Sequence, residues 1–310
     1  MLRVLVIVAV VAFCVLRAPA PDARVTAAIN DAALGYTQQL QAYPDGQFYC
    51  PMDPDVRSNG PGFCPRCGMK LVEGIQDTAQ YPVNLKTEPG APRAGEPTRL
   101  TFGIENPHTH LPVRSFEIVH EKPYHIFVVS QDLSFFLHTH PERNADEDFH
   151  LDMRFPKPGM YRVLSDFYPS GGMPQLTANT VLVEGDGFRL QAASLKADTS
   201  ARASENARVE LDAPRVVAGQ SASVRFRISP DESIEPYLGA MAHVLAVSAD
   251  LADMMHNHPV DSADAEGGRF KDLAFRMVFP RAGVYRVWIQ FQRAGVVNTA
   301  AFNVPVEEGR

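Results

Sequence analysis

A stretch of about one hundred residues occurs twice in this chain, and no other feature constrains its fold as tightly. His125-Ile126-Phe127-Val128-Val129-Ser130-Gln131-Asp132-Leu133 returns as His243-Val244-Leu245-Ala246-Val247-Ser248-Ala249-Asp250-Leu251, an offset of 118. His138-Thr139-His140-Pro141 returns at the same offset as His256-Asn257-His258-Pro259. Phe155-Pro156, Gly159 and Tyr161-Arg162-Val163 return as Phe279-Pro280, Gly283 and Tyr285-Arg286-Val287 at an offset of 124. The second copy therefore carries an insertion, placed in the acidic, glycine-containing stretch from Asp261 to Gly268. A fold for this chain must serve twice, in units of domain size.

The periodicity within each copy is that of strands. Leu100, Phe102 and Ile104 alternate with polar residues, as do Val224, Phe226 and Ile228. Tyr161 to Leu164 and Tyr285 to Ile289 read as further strands, each launched from a glycine turn. Twenty-five prolines and twenty-one glycines suit a chain of short strands and many turns. The expected fold is mainly β: two tandem immunoglobulin-like β-sandwich domains over 79–185 and 207–310, joined by a linker over 186–206.

A different chemistry precedes the repeats. Cys50-Pro51-Met52-Asp53-Pro54 is followed at loop distance by Cys64-Pro65-Arg66-Cys67-Gly68, within a small Cys-rich module over 43–74. Three sulfurs and one carboxylate, from Cys50, Asp53, Cys64 and Cys67, form a complete tetrahedral set for zinc, or a thiolate set for copper(I). Met52 and Met69 flank these ligands and offer thioethers or simple packing. From the residues alone the module reads as a structural zinc knuckle that staples a segment with little core, as a site for a transferable soft metal, or as a Cys-x-x-Cys redox pair.

The N-terminus carries the marks of export. Arg3 precedes an unbroken apolar run from Val4 to Leu16, and Ala18-Pro19-Ala20 resembles a cleavage site. Pro21 hinders cleavage there, so residues 1–20 read as a signal peptide or as an uncleaved membrane anchor, and the membrane is met only through this segment. Residues 21–42 read as a helical spacer, with Val25, Ile29, Ala32, Tyr36 and Leu40 at three- and four-residue spacing. With Cys14 set aside in that segment, three cysteines remain, an odd number that cannot form a closed disulfide set in an oxidising compartment. The net charge of −7 and the lack of a basic run argue against nucleic acid as a partner.

The segment from Tyr49 to Glu73 resembles the heavy-metal-binding domain attached to copper and silver efflux fusion proteins and to metal-transporting P-type ATPases. The match rests on Tyr49, Cys50-Pro51-Met52, Pro54, Gly60-Pro61-Gly62, Cys64-Pro65, Cys67-Gly68-Met69 and Leu71. The family's histidine is Asp53 here, a harder ligand that suits zinc better than copper(I). The two repeats resemble β-sandwich domains of exported bacterial proteins that accompany this module. The carriers themselves are not matched: the chain has no long coiled-coil hairpin, no set of spanning helices and no phosphorylation motif.

The duplicated histidines are a second candidate. His138 and His140, like His256 and His258, are two residues apart and share one face of a strand. His125 and His243 sit on the preceding strands, so each sandwich can gather three imidazoles, a donor set for copper(II) or zinc. The competing reading is architectural, with ring N–H groups tying down the turns before Pro141 and Pro259. Met254 and Met255 add sulfur near His256, and His108 and His110 read as loop residues. No nucleophile elbow, phosphate loop or dinucleotide fingerprint is present, so catalysis is not expected. The expectation is an exported metal-binding protein of a bacterial envelope, periplasmic or on the outer face of the inner membrane. It sequesters zinc or copper or hands it over, with a metal ion and an envelope or metal-efflux protein as partners. The alternative is a structural or interaction protein whose zinc knuckle is only a folded cap.

Overall fold

The computed structural model describes residues 48–50, 56–65, 69–73, 79–119, 121–143, 148–170, 172–259 and 272–309. The export segment, the helical spacer over 21–42, the insertion from Asp261 to Gly268, and Met52, Asp53 and Cys67 lie outside these residues. Among the described residues all regular structure is β, and no helix is long and apolar enough to cross a membrane.

The Cys-rich module is a three-stranded antiparallel sheet of β1 (Phe48–Tyr49), β2 (Arg57–Ser58) and β3 (Val72–Glu73), in the order β2-β1-β3. Its core is as small as its length requires: Cys50, Cys64 and Leu71 pack together with Phe48 and Val56 against them.

The first repeat contains β4 (Val83–Glu88), β5 (Pro97–Ile104), β6 (Tyr124–Ser130), β7 (Phe136–Thr139), β8 (Glu142–Arg143), β9 (Phe149–Arg154), β10 (Gly159–Phe167) and β11 (Gln175–Val183). One sheet runs β4-β5-β9-β8 and the other β11-β10-β6-β7. The second repeat contains β12 (Arg202–Ala203), β13 (Arg208–Asp212), β14 (Ser221–Ser229), β15 (Ile234–Glu235), β16 (His243–Ser248), β17 (Met254–Asn257), β18 (Asp272–Val278), β19 (Gly283–Arg293) and β20 (Val296–Val306). Its sheets run β12-β13-β14-β18 and β15-β19-β16-β17, with β20 paired along β19. Both repeats are antiparallel two-sheet sandwiches of immunoglobulin-like type. Tyr161 donates its hydroxyl to the Lys157 carbonyl at 2.8 Å, and Tyr285 does the same to Arg281 at 3.1 Å, so this repeated pair fixes equivalent corners.

Strands β6 and β16 depart from simple alternation. Every residue of both is buried. Tyr124, Ile126 and Val128 face the core of the first repeat, and Val244 and Ala246 that of the second. The intervening Phe127 and Val129 join Leu245 and Val247 in a separate cluster with Leu133, Leu164, Leu251 and Trp288. That cluster draws on both repeats, so the two sheets that contain β6 and β16 pack face to face.

The turns after these strands explain their close repetition. Ser130 and Ser248 donate their hydroxyls to Asp132 and Asp250 at 2.6 Å. This holds Leu133 and Leu251 at φ 55° and 59° and directs both leucines into the shared cluster. The segment read as a linker contributes as well: Ala193 and Leu195 pack on this cluster, and Asp198 pairs through its backbone with Asn303.

Trp288 is the chain's single tryptophan and stacks on Phe136 of the other repeat with ring centroids 5.0 Å apart. Replacing it with Ala empties the centre of the inter-repeat cluster and is expected to cost about 3–5 kcal/mol. The check is a fall in the urea unfolding midpoint; an unchanged midpoint would mean that the interface adds nothing to stability.

Candidate metal centre

The histidines of each repeat are brought together by strand register. His125 lies on β6, on the face opposite the sandwich core, and His138 lies on β7 directly across from Phe127. The His138 ring stacks on the Phe127 ring at a centroid distance of 4.2 Å. His140, two residues further, returns to the same face. Strands β16 and β17 repeat the arrangement, with Leu245 across from His256. In each triad, His125, His138, His140 or His243, His256, His258, one nitrogen per ring lies within 4.8 Å of the others.

The spacing fits a metal ion. The Nδ1 of His125 is 3.5 Å from the Nε2 of His138 and 3.0 Å from the Nε2 of His140. The Nδ1 of His243 is 3.3 Å from the Nε2 of His256 and 3.1 Å from the Nε2 of His258. Two nitrogens bound tetrahedrally at the usual zinc–nitrogen length are about 3.3 Å apart. The same ring atoms point inward in both triads.

The outward nitrogens fix the tautomers. A carbonyl oxygen can only accept, so the Nε2–H of His125 donates to Val119 at 3.0 Å and that of His243 to Tyr237 at 2.9 Å. The Nδ1–H of His138 donates to the Gln290 side-chain oxygen at 2.9 Å, whose own amide nitrogen donates to Thr299 at 3.2 Å. The Nδ1–H of His256 donates to the Asp166 carboxylate in a short hydrogen bond. In the neutral rings this leaves two acceptors, His125 Nδ1 and His138 Nε2, facing each other in one triad, and His243 Nδ1 and His256 Nε2 in the other. A bound cation satisfies both at once. Anchoring through the second nitrogen, as in these four rings, is also how metal-binding imidazoles are oriented.

These anchors cross between the repeats. Gln290 on β19 holds His138 of the first repeat, and Asp166 on β10 holds His256 of the second. Asp166 and Gln290 occupy equivalent positions, opposite His125 and His243 on their neighbouring strands. Burial lowers the pKa of His125, opposed by the Asp166 charge, and lowers that of His138 well below the ordinary value, helped by His243, His256 and His125. Burial first, then the charges of His125 and Lys122, brings His140 down to about 3. The first triad is thus held neutral at physiological pH, the state in which imidazole binds metal.

The Cys-rich module reaches the same place. The Cys64 amide donates to the Met69 carbonyl at 2.7 Å. A cavity of about 290 Å³ is lined by Met69 together with Met173, Tyr168, Lys122, Asp166, His125, His256 and His258. Cys50 and Cys64 are buried side by side in the module's core, as a shared ion requires.

Other expected sulfur and nitrogen donors point elsewhere. Met254 packs into the inter-repeat cluster and Met255 into the second repeat's core, so both serve as apolar filler. His110 is a loop residue with its Nδ1 2.7 Å from Glu105. His138 and His256 anchor to the opposite repeat, while His140 and His258, next to Pro141 and Pro259, pack on His125 and His243 of their own repeats. Nothing in the motifs marks Asp166 and Gln290; the one signal for them is a polar residue at the same repeat position, among other polar residues of the same strands.

Comparison with known proteins agrees with this organisation. The heavy metal binding domain matches residues 47–73, and the domain of unknown function DUF8832 matches twice, at 76–185 and 201–308. No protein of curated function matches the chain. Similar solved structures include the FdeC adhesin of Escherichia coli, at 13% identity and TM-score 0.25, covering 76% of this chain and 67% of that one. The Yersinia pseudotuberculosis adhesin InvE is 10% identical at TM-score 0.24, covering 73% and 60%. The fibronectin(III)-like modules of Clostridium thermocellum CbhA are 12% identical at TM-score 0.19, covering 73% and 95%. At such scores these likenesses add nothing to what strand topology establishes.

A histidine whose pKa is lower folded than unfolded binds fewer protons in the folded state, so its stabilising contribution is complete above the unfolded value of about 6.5 and is lost as pH falls towards the folded value. Metal-free protein is therefore expected to lose stability between about pH 6.5 and pH 3, through His125, His138 and His140. Thermal unfolding across this range checks it; a flat profile would contradict the buried, neutral triad.

Proposed function

The chain belongs to the DUF8832 family, and from that premise we propose that it is an exported, non-catalytic metal-handling protein of a bacterial envelope. In this reading the Cys-rich module takes up zinc or a soft metal such as copper through Cys50, Asp53, Cys64 and Cys67. The histidine triads receive or store the ion, and an envelope protein completes the chain of transfer. The N-terminal apolar run supports export.

The observation that carries the reading is the cavity. Met69, hydrogen-bonded through its backbone to Cys64, lines the same space as His125, His256 and His258. A thioether between thiolate and imidazole donors suits stepwise ligand exchange for a soft ion. A three-histidine set also leaves a coordination position open, as exchange requires and as a closed structural site does not.

Two measurements test it. Elemental analysis, with competition between zinc and copper(I), should find metal on the purified chain, and Cys64→Ser with Cys67→Ser should remove the most tightly held ion; unchanged metal content would refute the Cys site. Asp53→His restores a softer ligand and should slow transfer of copper(I) to a chelator. Faster transfer would refute the role of Asp53 as the releasing ligand.

A further inference from the structure

The two histidine triads lie in contact. Within the first triad, ring centroids are 4.7 to 5.7 Å apart, and within the second 4.5 to 5.6 Å. Between triads the separations are similar: His138 to His243 is 5.1 Å, His138 to His256 6.0 Å, His125 to His256 6.2 Å and His125 to His243 6.4 Å. Six imidazoles thus form one cluster across the repeat interface.

We infer that the triads form a single binuclear centre, holding two first-row transition ions such as copper(II) or zinc side by side. This rests on the reading of the triads as metal sites and goes beyond it, since two sites on one chain need not communicate. Each ion takes three nitrogens from its own repeat, and each repeat anchors one ligand of the other's ion. Neither half is complete without its neighbour: His138 needs Gln290, and His256 needs Asp166.

The halves are unequal in the residues that anchor them. Asp166 adds a negative charge and raises the donor strength of His256, whereas Gln290 gives His138 orientation without charge. One carboxylate beside two cations offsets part of their mutual repulsion. The remaining positive charge is met by hydroxide or a small anion entering the cavity, which touches both triads through His125 on one side and His256 and His258 on the other. Lys122 lines that cavity and favours an anion there.

The test is a copper(II) titration of the full chain carrying Cys50→Ser, Cys64→Ser and Cys67→Ser, which removes the thiolates, followed by electron paramagnetic resonance. The expected result is two ions per chain with a half-field transition and fewer spins than ions, the mark of a coupled pair. Two ions with independent mononuclear spectra, or one ion per chain, would overturn the binuclear centre while leaving metal binding by the histidines intact. No bound ion would overturn both. Asp166→Asn, which keeps the shape of the site, should weaken one of the two binding steps by about 10- to 100-fold and leave the other within a few-fold. Equal weakening of both steps, or of neither, would refute the assigned inequality.

Discussion

Everything distinctive about this protein depends on burying β6 and β16 on both faces. A sandwich strand in a single domain turns one face to the core and one to water. Here the second face meets its own equivalent from the other repeat. Phe127, Val129, Leu245 and Val247 exclude water from the contact. The histidines at the ends of the same faces are thereby drawn into a dry, crowded environment. The apolar part of the interface shapes the polar part, because burial disfavours the charged ring and keeps the closely packed imidazoles of the first triad neutral.

The near-symmetry of the contact follows from duplication. A surface that packs on a copy of itself satisfies each contact twice, as in an isologous dimer. The reciprocal bonds from His138 to Gln290 and from His256 to Asp166 are one such pair. Fusing the copies in one chain removes the cost of association and also frees the two halves to diverge. The divergence has fallen at the side chain that anchors a histidine, while the six histidines and the Ser-Asp turns are the same in both copies.

The small Cys-rich module makes sense beside such a centre. Its described residues bury only a small core, and its Met69 lines a cavity that histidines of both repeats also line. Met69 and Met173 line that cavity together with the histidines.

Much of this is legible in the sequence. The repeat offset implies two domains, the alternation in β5 and β14 implies strands, and the i, i+2 histidines imply a shared face. The cysteine spacing admits a metal module or a Cys-x-x-Cys redox pair, and the family resemblance favours the metal module. The run His-Ile-Phe-Val-Val-Ser also announces a strand buried on both sides, since apolar residues fill both of its phases. What covers the second phase is not legible, because a local pattern records that a face is hidden and not what hides it. Along the chain Asp166 is one more polar residue on a strand, and only the fold sets it against His256. The sequence by itself determined the histidines and their grouping in threes, because both follow from spacing along one strand pair. Only the tertiary structure decided that the groups meet, because that depends on how two sheets dock.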